Sequence, residues 1–400
     1  MQKAPLLALA LLLIPAGLHA ETAPVFYEAK PGSLLLAKQR IAQGDSELKA
    51  ALATLLKEAD QALKVAPLSV VQKPKPAPSG SKHDYYTLAR YYWPNPKTSD
   101  GKPYVRRDGE MNPETATDDY DHRRLSLLDK TCETLALAWY FTGDEKYASH
   151  EATLLRTWFL DPETRMHPHL QYAQSVLGKN EGRPEGILEG RSLVGVADAA
   201  LLLKGSSAWN ASDETKLTEW FKEYHTWLLN SVNGKDERAA QNNHGTYFDE
   251  QATLLALVLG NHAEAVAFLQ ESKEKRIAAQ ISADGSQPKE VVRADGLGYS
   301  CFNLGALASL ANYGEYCGVD LWNFQADGQR GIRLAIDYLL PFLATPPAPW
   351  PRSQKNKLDS KLIARVLHQA SVVYGDERYA SIYADDKGNR TARFHLLYVK

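Results

Sequence analysis

Two short segments hold the residue types that could carry out a reaction. The first is Gln241-Asn242-Asn243-His244-Gly245-Thr246-Tyr247. The second opens with Asp284-Gly285-Ser286-Gln287-Pro288 and continues through Glu290, Arg293 and Tyr299. Between them they supply an imidazole, a phenol, a guanidinium and several carboxamides. An imidazole can take a proton near neutral pH. A guanidinium can grip a carboxylate through two hydrogen bonds, and an amide N–H can add a third. A tyrosine can hand a proton to a leaving oxygen. With an ordinary pKa of about 10, it acts as a base only where a nearby cation favours the phenolate. The set suits chemistry in which a carboxylate is neutralised while the neighbouring carbon loses a proton. Each half alone has a plainer reading: an Asn capping a helix with a packed His, and a Tyr capping a core ahead of Phe302 and Leu304.

Further polar and aromatic groups gather elsewhere. Lys82-His83-Asp84-Tyr85-Tyr86 and Tyr91-Tyr92-Trp93-Pro94-Asn95-Pro96 offer rings that could stack on sugars or form a satellite core beneath a loop. Arg106 and Arg107 could meet the carboxylates of an acidic chain, and Arg123 and Arg124 could serve similarly or form a solvated helix start. Arg165 and His167 are expected to border a groove. His167-Pro168-His169 lacks the closely spaced Cys or carboxylate that would complete a metal set, so no metal site is expected. Glu181, Glu185 and Glu189 recur every four residues, but Gly182, Pro184 and Gly186 argue against one helical face. Asp249, Glu250 and Glu290 leave open a hydrolase working through two carboxylates. No GxSxG elbow, phosphate-binding loop or dinucleotide fingerprint is present.

Helical periodicity must position these groups. Leu34 to Ile41 and Leu48 to Leu63 form two stripes separated by Gly44-Asp45. Residues 66–81 are rich in Pro, Lys and Ser and read as an extended crossing. Tyr85 to Asp119 is long, aromatic and turn-rich, the mark of a functional loop or cover. From residue 121 onward helical stripes recur, broken by Gly, Asn or Pro, with no βαβ alternation. Helix pairs with apolar faces must bury them against neighbours, which predicts an all-α fold of antiparallel pairs, a toroid or an open solenoid. The tail from Thr391 to Val399 is expected to be a strand.

Residues Met1 to Ala20 read as an export signal: Lys3, then the apolar run Leu6 to Ile14, then Leu18-His19-Ala20 as a cleavage site. That run is too short to span a bilayer, and no later stretch is long enough, so no membrane anchor is expected. Removing Lys3 with the signal moves the formal net charge from −2 to −3. Such balance gives no reason to expect nucleic acid, and an acidic substrate would need a local basic site. Cys132, Cys301 and Cys317 could provide one disulfide or remain buried thiols.

These residues together resemble the alginate-lyase superfamily of bacterial polysaccharide lyases, as a sister family of the periplasmic alginate lyases. The resemblance runs from Lys82-His83-Asp84-Tyr85-Tyr86 and Tyr92-Trp93-Pro94-Asn95-Pro96, through Asn242-Asn243-His244, to Asp284-Gly285-Ser286 and Tyr299. It implies an (α/α) toroid, complete or incomplete, over residues 21–400 as one domain. It also implies a periplasmic location, with secretion the alternative, and β-elimination of uronate polymers without a cofactor or metal. The family's carboxylate-neutralising Asn falls on Asn243, its histidine on His244, its arginine on Arg293 and its catalytic tyrosine on Tyr299.

The expected substrate contacts are Asn242, Lys82, His83, Tyr85, Tyr86, Tyr92, Trp93, Arg106, Arg107, Arg165, His167 and Gln287. The periplasmic enzymes carry Ser after Asn-Asn-His and His before the Tyr; here Gly245 and Gly298 occupy those positions. The expected partner is an acidic polysaccharide or oligosaccharide, alginate including mannuronan, with glucuronan as an alternative. In mannuronan and glucuronan the leaving H5 and O4 share a ring face, so one Tyr could serve as both base and acid. In guluronan they lie on opposite faces, so His244 could take H5 while Tyr299 protonates O4. A glycoside hydrolase or a nonenzymatic polysaccharide-binding protein are the remaining readings.

Overall fold

Each helical stripe has one apolar face that only a neighbour can cover, and the fold is the result of pairing those faces. The computed structural model describes residues 23–344, 347–352, 354, 361–384 and 387–399. The expected export signal lies outside them. Helices α1 (Ser33–Ala42) and α2 (Ser46–Ala62) divide at Gly44-Asp45 as expected. Gly44 takes a φ of 105°, and the Asp45 carboxylate caps α2 by accepting from the Glu47 and Leu48 amides. Helix α3 (His122–Thr142) packs against α2, against α4 (Glu145–Leu155) and against α5 (Arg191–Ala200).

Helices α6 (Ala211–Asn230), α7 (Val232–Ala239), α8 (Asn243–Val258), α9 (His262–Ser272), α10 (Pro288–Val291) and α11 (Gly296–Cys317) follow. Buried almost all round, α8 lies against α5, α9 and α11. The chain continues through α12 (Ile332–Leu343), α13 (Lys361–Tyr374), α14 (Glu377–Ala384), α15 (Lys387–Arg390) and α16 (Phe394–Leu397). The antiparallel pairs make an all-α, toroid-like frame.

One apolar cluster runs from Phe26 to Val399. A short N-terminal strap ties it together. The Tyr27 and Glu28 amides donate to the Asp198 carboxylate, both at 2.8 Å. Asn312 Nδ2 donates to the Tyr27 and Ala29 carbonyls, Arg365 pairs with the Glu28 carboxylate, and the Tyr398 hydroxyl donates to the Glu28 carbonyl. All three cysteines are free thiols.

The long aromatic segment carries small pieces of sheet. Strand β1 (Tyr86–Leu88) runs parallel to β4 (Tyr172–Ser175), and β2 (Tyr92–Trp93) pairs antiparallel with β3 (Val105–Arg106). The tail departs from expectation, since it forms the helical turn α16 and not a strand. Leu396 to Val399 are all buried, so periodicity cannot distinguish the two states. The ends are settled by tertiary bonds, with the Leu397 carbonyl accepting from Lys30 N and Val399 N donating to Ser33 Oγ.

Candidate active site

The first segment opens α8. Asn242 is its N-cap, with its side-chain oxygen accepting from the His244 amide at 3.3 Å. That cap brings Asn243 and His244 into the first turn, facing a cleft of about 640 Å³. The second segment turns at Asp284-Gly285-Ser286, forms α10 and enters α11, whose first turn carries Gly298 and Tyr299. Gly285 takes a φ of 85°, and a Cβ there would meet the Leu334 carbonyl at 2.5 Å, so this turn requires glycine. The two segments meet across the cleft, whose lining includes Asn242, Asn243, His244, Arg293, Gly298 and Tyr299. Tyr92 and Arg106, from the β2–β3 pair, line it as well.

Within the cleft the groups are already bonded to one another. His244 Nδ1 lies 2.6 Å from Glu237 Oε1, which leaves Nε2 to take a proton. Burial pushes the Glu237 carboxyl up, and the neighbouring His244 opposes that. Arg293 donates from Nε and Nη2 to Asp108 at 3.2 and 2.8 Å, and from Nη2 to the Tyr299 hydroxyl at 2.9 Å. The Tyr299 hydroxyl donates onward to the Tyr91 hydroxyl at 2.8 Å.

Arg293 does not make Tyr299 a phenolate. Burial and the Tyr91 hydroxyl raise its pKa well above the usual tyrosine value, outweighing the guanidinium beside it. Arg293 in turn holds the Asp108 carboxyl down at about 2. Five arginines line the cleft (Arg90, Arg106, Arg183, Arg191 and Arg293) beside five carboxylates (Glu185, Glu189, Asp236, Glu237 and Asp295), so an acidic substrate would meet individual guanidiniums and not a net basic field.

Asn243 is fully buried. Its amide N and Nδ2 both donate to Glu290, at 2.7 and 2.8 Å, while its Oδ1 has no hydrogen-bond partner. Burial raises the Glu290 carboxyl above the ordinary glutamate value.

Several expected contacts lie outside this cleft. Tyr85 is wholly buried, and its hydroxyl donates to Glu189 at 2.8 Å, so it steadies a cleft carboxylate from behind and is not part of the cleft lining. Tyr86 packs on Tyr120 in a small satellite core. Gln287 is buried too. It donates to the Ser300 carbonyl and accepts from Asn303, which also donates to Gln280, whose Nε2 reaches the Asn242 carbonyl. It therefore supports the α8 cap from below. Trp93 donates to the Glu110 carbonyl and carries Arg107 over its ring, and neither lines the cleft.

Lys82, His83, Arg165 and His167 form a separate surface group. There His83 Nδ1 lies 2.7 Å from the Arg165 carbonyl. His167 and His169 both approach Asp84, a carboxylate 83 residues upstream of His167, where the sequence offered none nearby.

The carboxylates that kept a hydrolase open are occupied elsewhere. Asp249 is buried against Arg276, Glu250 lines a different cavity, and Glu290 holds Asn243. Sequence reasoning missed Glu237, Asp108 and Tyr91 as partners, and also Arg90, Arg183 and Arg191 in the wall. Glu237 lies seven residues before His244 and was the one within local reach.

Comparisons with known proteins bear on the family and the fold. The family model described as alginate lyase matches residues 69–350. The chain is 37% identical to an alginate lyase from Bacteroides ovatus of known crystal structure. That match covers 94% of this chain and 99% of the other, with a TM-score of 0.88. Alginate lyase A1-III from Sphingomonas species A1 is 16% identical over 96% of this chain and all of the other, with a TM-score of 0.61. A variant of A1-III complexed with tetrasaccharide gives 0.62 at 16% identity, covering 96% of this chain and 99% of the other. These two share the fold. Among curated proteins, none matches the chain. By the extent of the family match and its likeness to the Bacteroides enzyme, the chain belongs to the alginate lyase family.

Proposed function

We propose that the chain β-eliminates 1,4-linked uronate polysaccharide, alginate including mannuronan, and leaves 4,5-unsaturated uronate ends. The observation that carries this reading is the convergence of two proton-transfer groups in one arginine-lined cleft. They are the neutral Tyr299 phenol, bonded to Arg293, and the His244 imidazole, bonded to Glu237.

Arg293 and Asn243 would neutralise the C6 carboxylate of the sugar beyond the scissile bond, which lowers the barrier to losing H5 as enolate-like charge develops. Tyr299, resting as a phenol, is poised to give its proton to the departing O4. His244 takes H5 where that hydrogen lies on the opposite ring face. Where the two leave from the same face, Tyr299 must first lose its proton, and the Arg293 guanidinium stabilises the phenolate once formed.

Asn243 needs a proton nearby to play its part, because its oxygen and not its nitrogen is unengaged. Once Glu290 is protonated, the Asn243 carboxamide would turn over, so that Glu290 donates to Oδ1 and Nδ2 is freed for the substrate carboxylate. We place the protein in the periplasm after loss of residues 1–20, and treat residues 21–400 as one lyase domain. Among the described residues no helix is long and apolar enough to cross a membrane.

The test is ultraviolet absorbance of the unsaturated product on mannuronan, guluronan, mixed alginate and glucuronan. Elimination of mannuronan or mixed alginate is expected, falling by about 10²–10⁴-fold in Tyr299→Phe with KM little changed. Near-parent rates in Tyr299→Phe would overturn the role of the phenol. Intact polymers, or cleavage without ultraviolet absorbance, would overturn the elimination.

A further inference from the structure

We propose that Asp84, His167 and His169 form a divalent-metal site, of zinc type, that clamps the segment leading into β1 to the loop leading into β4. One atom from each residue lies within 4.8 Å of the other two. Asp84 Oδ1 is 3.2 Å from His169 Nε2 and 2.6 Å from His167 Nδ1. Zinc held at about 2.0–2.1 Å in a tetrahedral shell separates its ligand atoms by about 3.3 Å. The Asp84–His169 pair already stands at that spacing, the Asp84–His167 pair must open by about 0.7 Å, and the two imidazole donors lie within 4.8 Å of each other. Two imidazoles and one carboxylate are a zinc donor set, with the fourth position left to water.

The surroundings are those of a built site. Asp84 is buried, and its second oxygen accepts from the Ser79 hydroxyl. The His167 amide donates to the His83 carbonyl at 2.9 Å, so the two segments are held in register beside the three donors. Such outer bonds orient ligands before an ion arrives. The imidazoles are 45% and 26% exposed, which gives a hydrated ion a path in.

None of the three residues lines the cleft, so this is not a catalytic metal. Its effect is mechanical. The clamp lies just ahead of the register pair Tyr86↔Tyr172. Beyond that pair, Thr87 donates to the cleft carboxylate Glu189, and Gln174 lines the cleft.

The experiment uses the full chain without a histidine tag, stripped with a chelator and titrated with zinc by calorimetry. One zinc per chain is expected. At zinc about a hundredfold above Kd, Tm should rise by roughly 3 °C. Cobalt should give the visible absorption of a four-coordinate nitrogen and oxygen site, a readout that needs no variant. His169→Gln and Asp84→Asn should each weaken zinc binding by at least about tenfold to a hundredfold, with alginate cleavage still measurable. Binding below one equivalent, binding only at millimolar zinc, octahedral cobalt spectra, or unchanged affinity in His167→Ala/His169→Ala would each overturn the site.

Discussion

Glu290 decides what Asn243 can offer a substrate. As an ionised carboxylate it accepts both Asn243 N–H groups and leaves a buried amide oxygen without a partner in the wall of the cleft. An unsatisfied buried acceptor costs about 1–3 kcal/mol, and an incoming carboxylate would make it worse. A proton on Glu290 removes both problems, and burial already favours that proton. Glu290→Gln copies the protonated form, since its amide can donate to Oδ1 while its oxygen accepts from the Asn243 amide. It should keep kcat/KM within about tenfold, whereas Glu290→Ala should lose about a hundredfold or more. Equal losses in steady-state assays of the two variants would remove the proton from the account.

Tyr299 supplies a second prediction at this scale. Its raised pKa keeps it protonated across the neutral range. Same-face elimination on mannuronan needs the phenolate, whose fraction grows about tenfold per pH unit below the pKa. Opposite-face elimination on guluronan uses the neutral phenol directly. The mannuronan rate should therefore climb further into alkali than the guluronan rate, as read from paired pH profiles.

The start of α8 shows how an element fixes a site. Arg276 is buried and pairs with Asp249, while its Nη1 and Nη2 donate to the Ala240 and Arg238 carbonyls just ahead of the helix. Gly245 exists to let that guanidinium lie against α8. A Cβ there would fall 2.0 Å from the Ala240 carbonyl and 2.4 Å from Arg276 Nη1. The departure from the periplasmic enzymes at this position is thus a packing requirement. Gly245→Ser should cost about 2–3 kcal/mol in unfolding free energy and lower kcat by displacing His244, as measured by denaturant melts and assays.

The helix start itself was legible because capping is local: Asn242 and the apolar run after it are adjacent in sequence. Asp108 and Tyr91 were not, since they reach Arg293 and Tyr299 across 185 and 208 residues. Tyr85 and Gln287 misled for the complementary reason. Their residue types suit sugar binding, and only the packing of neighbouring elements buries them.

At the scale of the whole molecule, the toroid holds carboxyls that burial keeps protonated. Asp198 and Glu250 are pushed up to about 8 and Asp129 to about 7, each chiefly by burial. Their unfolded values are about 4, so the native state keeps protons that the unfolded chain releases. The stability they contribute is fully present below pH of about 4 and is lost as pH rises through about 7 to 8. Tm should therefore decline between about pH 4 and 8 and level off above that, as followed by calorimetry, and a flat profile over that range would contradict the raised pKa values of these acids. The all-α frame was readable from periodicity, but these interior carboxyls were not, because a charged residue in a helical stripe looks the same on either face.

The N-terminal strap has a consequence in time. Glu28 is made 337 residues ahead of its partner Arg365 and 370 residues ahead of its partner Tyr398. Whichever helices pair early, the ring stays unlatched until α13 and the C-terminal tail have emerged. Closure is therefore a final, whole-chain event, and a chain released short of its last helices would keep its first residues exposed to proteases.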